Sequence, residues 1–238
     1  MKRIVINPIG LVVIAMVVLS ALREALVGNF SQWVVSTVLM LPGIIIGLSF
    51  HEFAHAKMAT LCGDDTPRLQ GRVTISPLAH VDPVGIVMLL FVGFGWGRPV
   101  EVNPNNFKKP RRDHLLVSLA GVTMNLILAV AFTGLWVLLA HLVPEFLLSD
   151  FGGLINTMLS GIVSINLVLM VFNLLPLPPL DGFSVVLDLF KLRASKFHQF
   201  MYRYGYLILV FMIVFDITDV ILGPAVNGLY GLILNIFM

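Results

Sequence analysis

Two histidines four residues apart, His51 and His55, enclose a glutamate in the run His51-Glu52-Phe53-Ala54-His55. On an α-helix that spacing sets the two imidazoles one turn apart on one face, where both can ligate a single ion. Glu52 then stands beside the ion, placed to take a proton from a water activated there, which is the division of labour of a zinc hydrolase. The motif is short and arises by chance in soluble helices, so its surroundings decide its meaning. Here residues 34–48 lead into it without a single charge. A glutamate and two imidazoles at the end of a hydrocarbon-spanning helix are costly unless paired or metal-bound.

A third ligand is offered far downstream. Pro176, Pro178 and Pro179 interrupt an apolar run just before Asp181. Prolines stop a regular helix and force extended backbone at membrane depth, which is tolerated only where it lines a cavity or is buried in protein. Asp181 is thereby expected at the depth of His51 and His55. Two imidazoles and one carboxylate, with the fourth position left to water, make a catalytic rather than a structural zinc set, and magnesium or calcium would want more oxygen ligands. Asp64 and Asp65 compete for the same role, although they follow Cys62-Gly63 in what reads as a solvent-side turn.

The elements that must position these groups follow from composition. Of 238 residues 58% are hydrophobic and only 12% charged, which predicts an all-α polytopic membrane protein. The net charge of +2 is too small to argue for nucleic acid, and the single cysteine, Cys62, excludes an internal disulfide and a thiolate metal cluster. A crossing needs about 20 apolar residues. About six stretches qualify, at 4–27, 34–61, 115–143, 154–175, 204–222 and 225–238, with Gly223-Pro224 expected to turn the chain before the last. The first is read as a retained span rather than a signal peptide, because no small-residue cleavage pattern closes it. Of the 15 Lys and Arg, 13 precede the first span or lie between the second and third or the fourth and fifth. The positive-inside rule therefore puts both termini, the two basic loops and His51–His55 toward the cytoplasm.

Between the second and third spans, residues 71–76 and, more weakly, 98–104 alternate as strands, while 84–94 is apolar but too short to cross. These predict a small β or re-entrant element whose exposed strand could pair with an unwound peptide. His80 and Asp82 border it. His114 and His198 read as solvated, and Asp216 and Asp219 as facing water near the outer end of the fifth span. Asn125, an amide deep in the third span, could bridge helices or donate to a developing oxyanion.

Taken together, residues 34–189 resemble the site-2 proteases, intramembrane zinc metalloproteases that cut transmembrane segments in regulated signalling. The resemblance rests on His51-Glu52-Phe53-Ala54-His55, Gly71-Arg72-Val73, Pro77-Leu78-Ala79-His80-Val81-Asp82-Pro83, Asn103-Pro104, Ser118-Leu119-Ala120-Gly121 with Asn125, and Asn173-Leu174-Leu175-Pro176 through Asp181-Gly182. It implies His51, His55 and Asp181 as Zn2+ ligands, Glu52 as catalytic base, and Asn125 as a residue that helps bind substrate or stabilise the oxyanion; Asn173 and His80 are further candidates for that last role. Val122 stands where the family usually carries proline. No insertion long enough for a PDZ domain separates the spans and no CBS domain follows. The resemblance therefore implies a single minimal domain over 1–238, with a catalytic core at 34–189 and accessory helices at 4–27, 204–222 and 225–238. The implied partners are a transmembrane protein substrate and membrane lipid, and nothing in the pattern specifies an oligomer. The chief rival is a metal-ion or proton transporter using the same His and Asp groups, which would call for internal repeats and polar residues leading to both faces; spans one and six are almost purely apolar.

Overall fold

The computed structural model describes residues 18–19, 22, 25–92 and 96–238, so the expected first span, 4–27, lies largely outside the described residues. Its principal helices are α1 (Phe30–Cys62), α2 (Pro83–Val92), α3 (Pro110–Leu142), α4 (Asp150–Asn173), α5 (Asp181–Leu189), α6 (Lys196–Val214) and α7 (Ile217–Phe237). Five of them, α1, α3, α4, α6 and α7, are long and apolar enough to cross a membrane.

The helix bounds have local causes. α1 stops at Gly63, whose φ of 109° lets its N–H turn back to the carbonyls of Ala59 and Thr60. Pro110 occupies the first turn of α3, where its missing N–H costs nothing. Ser149 caps α4 by accepting from the Gly152 N–H, and Ser195 caps α6 by accepting from the His198 N–H. At the other end of α4 the prolines act as expected. The helix ends at Asn173, the chain runs irregularly through a cis Pro178–Pro179 peptide, and α5 begins on Asp181 itself.

Helices α1, α3 and α4 pack on one another and frame the candidate site. Gly43 and Gly47 face α4 so closely that a Cβ at 47 would lie 2.7 Å from Leu169 Cδ1, and small residues four apart are how helices approach in lipid. Ala129, Val163 and Leu167 join α3 to α4 in one apolar cluster with Ile233 of α7. A second, around Leu175, Leu180 and Leu209, seats α6 against the proline segment. At the basic end, the buried Asp188 ties α5 to its surroundings. It accepts from Arg193 Nε at 2.5 Å and Nη2 at 2.9 Å, lies 2.8 Å from His114 Nδ1, and its carbonyl accepts from Arg111. His114, expected to be solvated, is thus a half-buried partner of α5.

Two expectations are corrected. Among the described residues there is no strand: residues 71–76 form turns, and the only pairing in the connection is a bridge between Val81 and Gly97. Its backbone groups bond to side chains instead. The Arg72 guanidinium takes the carbonyls of Ala79 and Pro99, and His80 Nε2–H donates to the Thr74 carbonyl at 2.7 Å. Prolines at 77, 83, 99 and 104 remove the N–H donors a ladder would need. The apolar run that follows is a short helix, α2.

The second correction concerns the C-terminal third. Pro224 lies inside α7, and the break falls at Asp216, in left-handed conformation with φ 55°, rather than at Gly223-Pro224. α6 packs Leu209 against Leu175 and Leu180, with Ile213 and Phe172 alongside, whereas α7 packs against Val163 and Leu167 and sets Phe237 over Gly134. Asp216 and Asp219 line a cavity of about 550 Å³ at the break, together with Leu48, Leu169 and Phe172.

Candidate metal centre

His51 and His55 lie one turn apart on the buried face of α1, and the start of α5 brings Asp181 against both. Asp181 Oδ2 is 3.2 Å from each Nε2 atom, and the two Nε2 atoms are 3.0 Å apart. Ligands about 2.0–2.1 Å from a tetrahedral zinc stand roughly 3.3–3.4 Å from one another, so this triangle has nearly the dimensions of one face of such a site.

The hydrogen-bond chemistry of the triangle points the same way. His55 Nδ1 lies 2.8 Å from the Val117 carbonyl, which can only accept, so in the neutral ring the proton sits on Nδ1 and the Nε2 lone pair faces the centre. His51 Nδ1 lies 2.6 Å from Asn125 Oδ1 in the same relation. Asp181 Oδ2 is buried without a hydrogen-bond donor. Two lone pairs and an anionic oxygen converging without a proton between them would repel, and a divalent cation resolves the conflict. The residues present therefore fit a metal of zinc's size and preferences.

Gly121 of α3 makes the convergence sterically feasible. A Cβ there would fall 2.5 Å from His51 Cε1, 2.5 Å from His55 Nε2 and 2.7 Å from His51 Nε2. The helix backbone forms one wall of the site, and only a hydrogen fits. Glycine inside a helical pattern carries no local sign of such a role, so its partners had to be seen. Val122, in place of the family's proline, is a buried packing residue within an uninterrupted α3.

Glu52, adjacent to His51, is half-buried and its Oε2 accepts from the Val100 N–H at 2.9 Å. The backbone of the connection at Val100 thus holds the carboxylate. Asp64 is not a rival ligand. It is fully buried, contrary to the solvent-side turn expected for it, and accepts from Thr66 Oγ1 and N–H, Asn103 N–H and Asn106 Nδ2. Asp65 is exposed beside Arg68.

The three residues suggested for substrate or oxyanion binding lie in different surroundings. Asn125 is 0% exposed and its amide hydrogens are committed to Gly47 O and Asn166 Oδ1, which leaves none for an oxyanion. His80 is likewise fully buried and braces the connection through Thr74 and, by its carbonyl, the Arg98 N–H. Asn173 is half-buried at the end of α4, where its Nδ2 donates to Leu169 O at 2.9 Å.

Comparison with known proteins adds independent findings. The profile of peptidase family M50 matches residues 148–212, the stretch that carries Asp181 but not His51 and His55. The chain is 40% identical over 195 residues to "Putative zinc metalloprotease YwhC" of Bacillus subtilis, covering 82% of this chain and 88% of that protein. It is 31% identical over 153 residues to "Putative zinc metalloprotease Rip2" of Mycobacterium tuberculosis, covering 63% of this chain and 56% of the relative. The Rip2 of Mycolicibacterium smegmatis is 30% identical over 184 residues, 74% of this chain and 67% of its own. No solved structure matches the chain.

Proposed function

The chain belongs to peptidase family M50, the site-2 proteases, and on that premise we propose that it is an HExxH zinc endopeptidase. Its proposed substrates are membrane-bound regulatory proteins, cut within or beside their transmembrane segments. The observation that carries this reading is the triangle of His51 Nε2, His55 Nε2 and Asp181 Oδ2, with Glu52 next in sequence to one of its corners.

Bound between the three, zinc supplies Lewis-acid polarisation of a peptide carbonyl and lowers the pKa of water toward about 7. The work of the chain is to hold and move protons around it. Val117 and Asn125 keep the imidazole protons on Nδ1, so both Nε2 lone pairs stay available. Glu52, fixed by the Val100 N–H, takes the proton of the attacking water and returns it to the departing amine nitrogen. Helix carbonyls in a substrate are already hydrogen-bonded, so the scissile segment must unwind first, which favours substrates with helix-weakening residues near the cut. Asn173, at the α4 terminus, is the candidate contact for that segment.

The distribution of Lys and Arg supports an arrangement with the basic connections and the metal centre toward the cytoplasm.

The test is Glu52→Gln in proteoliposomes containing a tagged transmembrane substrate with helix-weakening residues. The variant is expected to keep its zinc and fold while cleavage falls by about 10²–10⁴. Cleavage at the wild-type rate would remove Glu52 from the chemistry. Metal uptake into the vesicles without any peptide cleavage would favour a transporter.

A further inference from the structure

A neutral imidazole ligates metal only through the nitrogen that lacks the proton, so something must choose the tautomer of His51. Its Nδ1 faces Asn125 Oδ1 at 2.6 Å, and an amide is itself ambiguous, since turning it over would present an NH2 group to the ring and move the proton to Nε2. The structure shows what removes that ambiguity. Asn166 of α4 donates from Nδ2 to the Ile162 carbonyl at 2.9 Å, and because a carbonyl only accepts, Asn166 must present Oδ1 on its other side. That oxygen accepts from Asn125 Nδ2 at 3.0 Å, while the Gly47 carbonyl accepts from the same nitrogen at 3.3 Å. Asn125 is thereby left with only its oxygen to turn toward His51. Both amides are 0% exposed and His51 is 5% exposed, so water cannot substitute for any member. Gly47 closes the arrangement sterically: a Cβ there would crowd Asn166 Oδ1 at 3.3 Å.

We propose that Asn166 is a positioning residue of the metal centre. Together with Asn125 it forms a two-amide relay, anchored on the backbone carbonyls of Ile162 and Gly47, that holds His51 as the Nδ1–H tautomer and keeps its Nε2 lone pair on the metal side. The inference rests on the metal-site assignment above and adds to it the direction of the proton. It differs from a plain interhelical amide contact, the usual use of asparagine in a membrane bundle, which would stabilise helix association without any bearing on the ring.

The experiment uses full-length protein in detergent with zinc as the probe. Asn166→Leu removes the acceptor at similar volume, whereas Asn166→Asp, protonated in that buried setting, keeps an acceptor toward Asn125 and an O–H toward Ile162. Zinc affinity by chelator competition is expected to fall about 10–100-fold in Asn166→Leu and to recover in Asn166→Asp. Imidazole ¹⁵N shifts of His51 in the metal-free protein, above neutral pH, are expected to report Nδ1–H in wild type and a mixture or Nε2–H in Asn166→Leu. Wild-type affinity in Asn166→Leu with the Nδ1–H tautomer retained overturns the relay. Should Asn166→Leu fail to fold, the wild-type tautomer still decides, because a predominantly Nε2–H His51 overturns the proposal. Failure of the metal assignment looks different: the wild-type chain itself would not bind zinc.

Discussion

Whether two imidazoles and a carboxylate can share one ion is decided by single atoms around them. The Cβ that Gly121 lacks would overlap His51 Cε1 and His55 Nε2 at 2.5 Å, and neither ring can retreat, because Asn125 and Val117 hold their far nitrogens. Gly121→Ala is therefore expected to abolish zinc retention by elemental analysis. The helix itself should not weaken, since alanine is the better helix former by about 1 kcal/mol. A Gly121→Ala protein with full zinc content would show that the rings have room the structure denies them. The contrast between legible and illegible residues is instructive here. His51, Glu52 and His55 announce themselves by spacing, and Asp181 by the prolines that deliver it. Gly121, Asn166 and the true environment of Asn125 do not, because their roles arise from contacts between residues more than 40 positions apart.

Among the elements, the long helices were legible wherever uninterrupted apolarity set them, as in α1, α3 and α4, whose bounds fall within a few residues of the pattern. The connection between α1 and α3 was not, because alternation suggested strands while side chains took the backbone groups. Asp64 is the clearest instance. Burial alone would raise its carboxyl, but hydrogen bonds from Thr66, Asn106 and the Asn103 N–H outweigh it and hold the group below the ordinary carboxylate range. The carboxylate clips the end of α1 to the segment leading into α3. With its folded pKa depressed below the unfolded value of about 4, the charged form contributes stability in full above that value and loses it as pH falls through the folded pKa. Thermal unfolding in detergent should accordingly show acid destabilisation that Asp64→Asn flattens, at a cost of about 2–3 kcal/mol near neutral pH. Parallel profiles for the two proteins across that acid range would mean Asp64 contributes nothing as an anion.

At the scale of the molecule, α1, α3 and α4 form a frame onto which the proline segment and α5 swing one carboxylate, and α6 and α7 close its side. Composition made the membrane character plain, yet the point at which α6 gives way to α7 escaped it. Gly-Pro is a strong turn signal in water, but a proline inside a helix is tolerated in lipid; Pro224 lies within α7, and the break falls at Asp216. Everything proposed for the chain's activity depends on the frame and the swung carboxylate meeting at one ion. Zinc-edge X-ray absorption on the purified full-length protein tests that meeting directly. The account predicts one zinc per chain bound by two imidazole nitrogens and oxygen donors at about 2.0–2.2 Å, with the zinc lost from Asp181→Ala. Stoichiometric zinc with an unchanged spectrum in Asp181→Ala, or a wild-type spectrum without imidazole scattering, would contradict it.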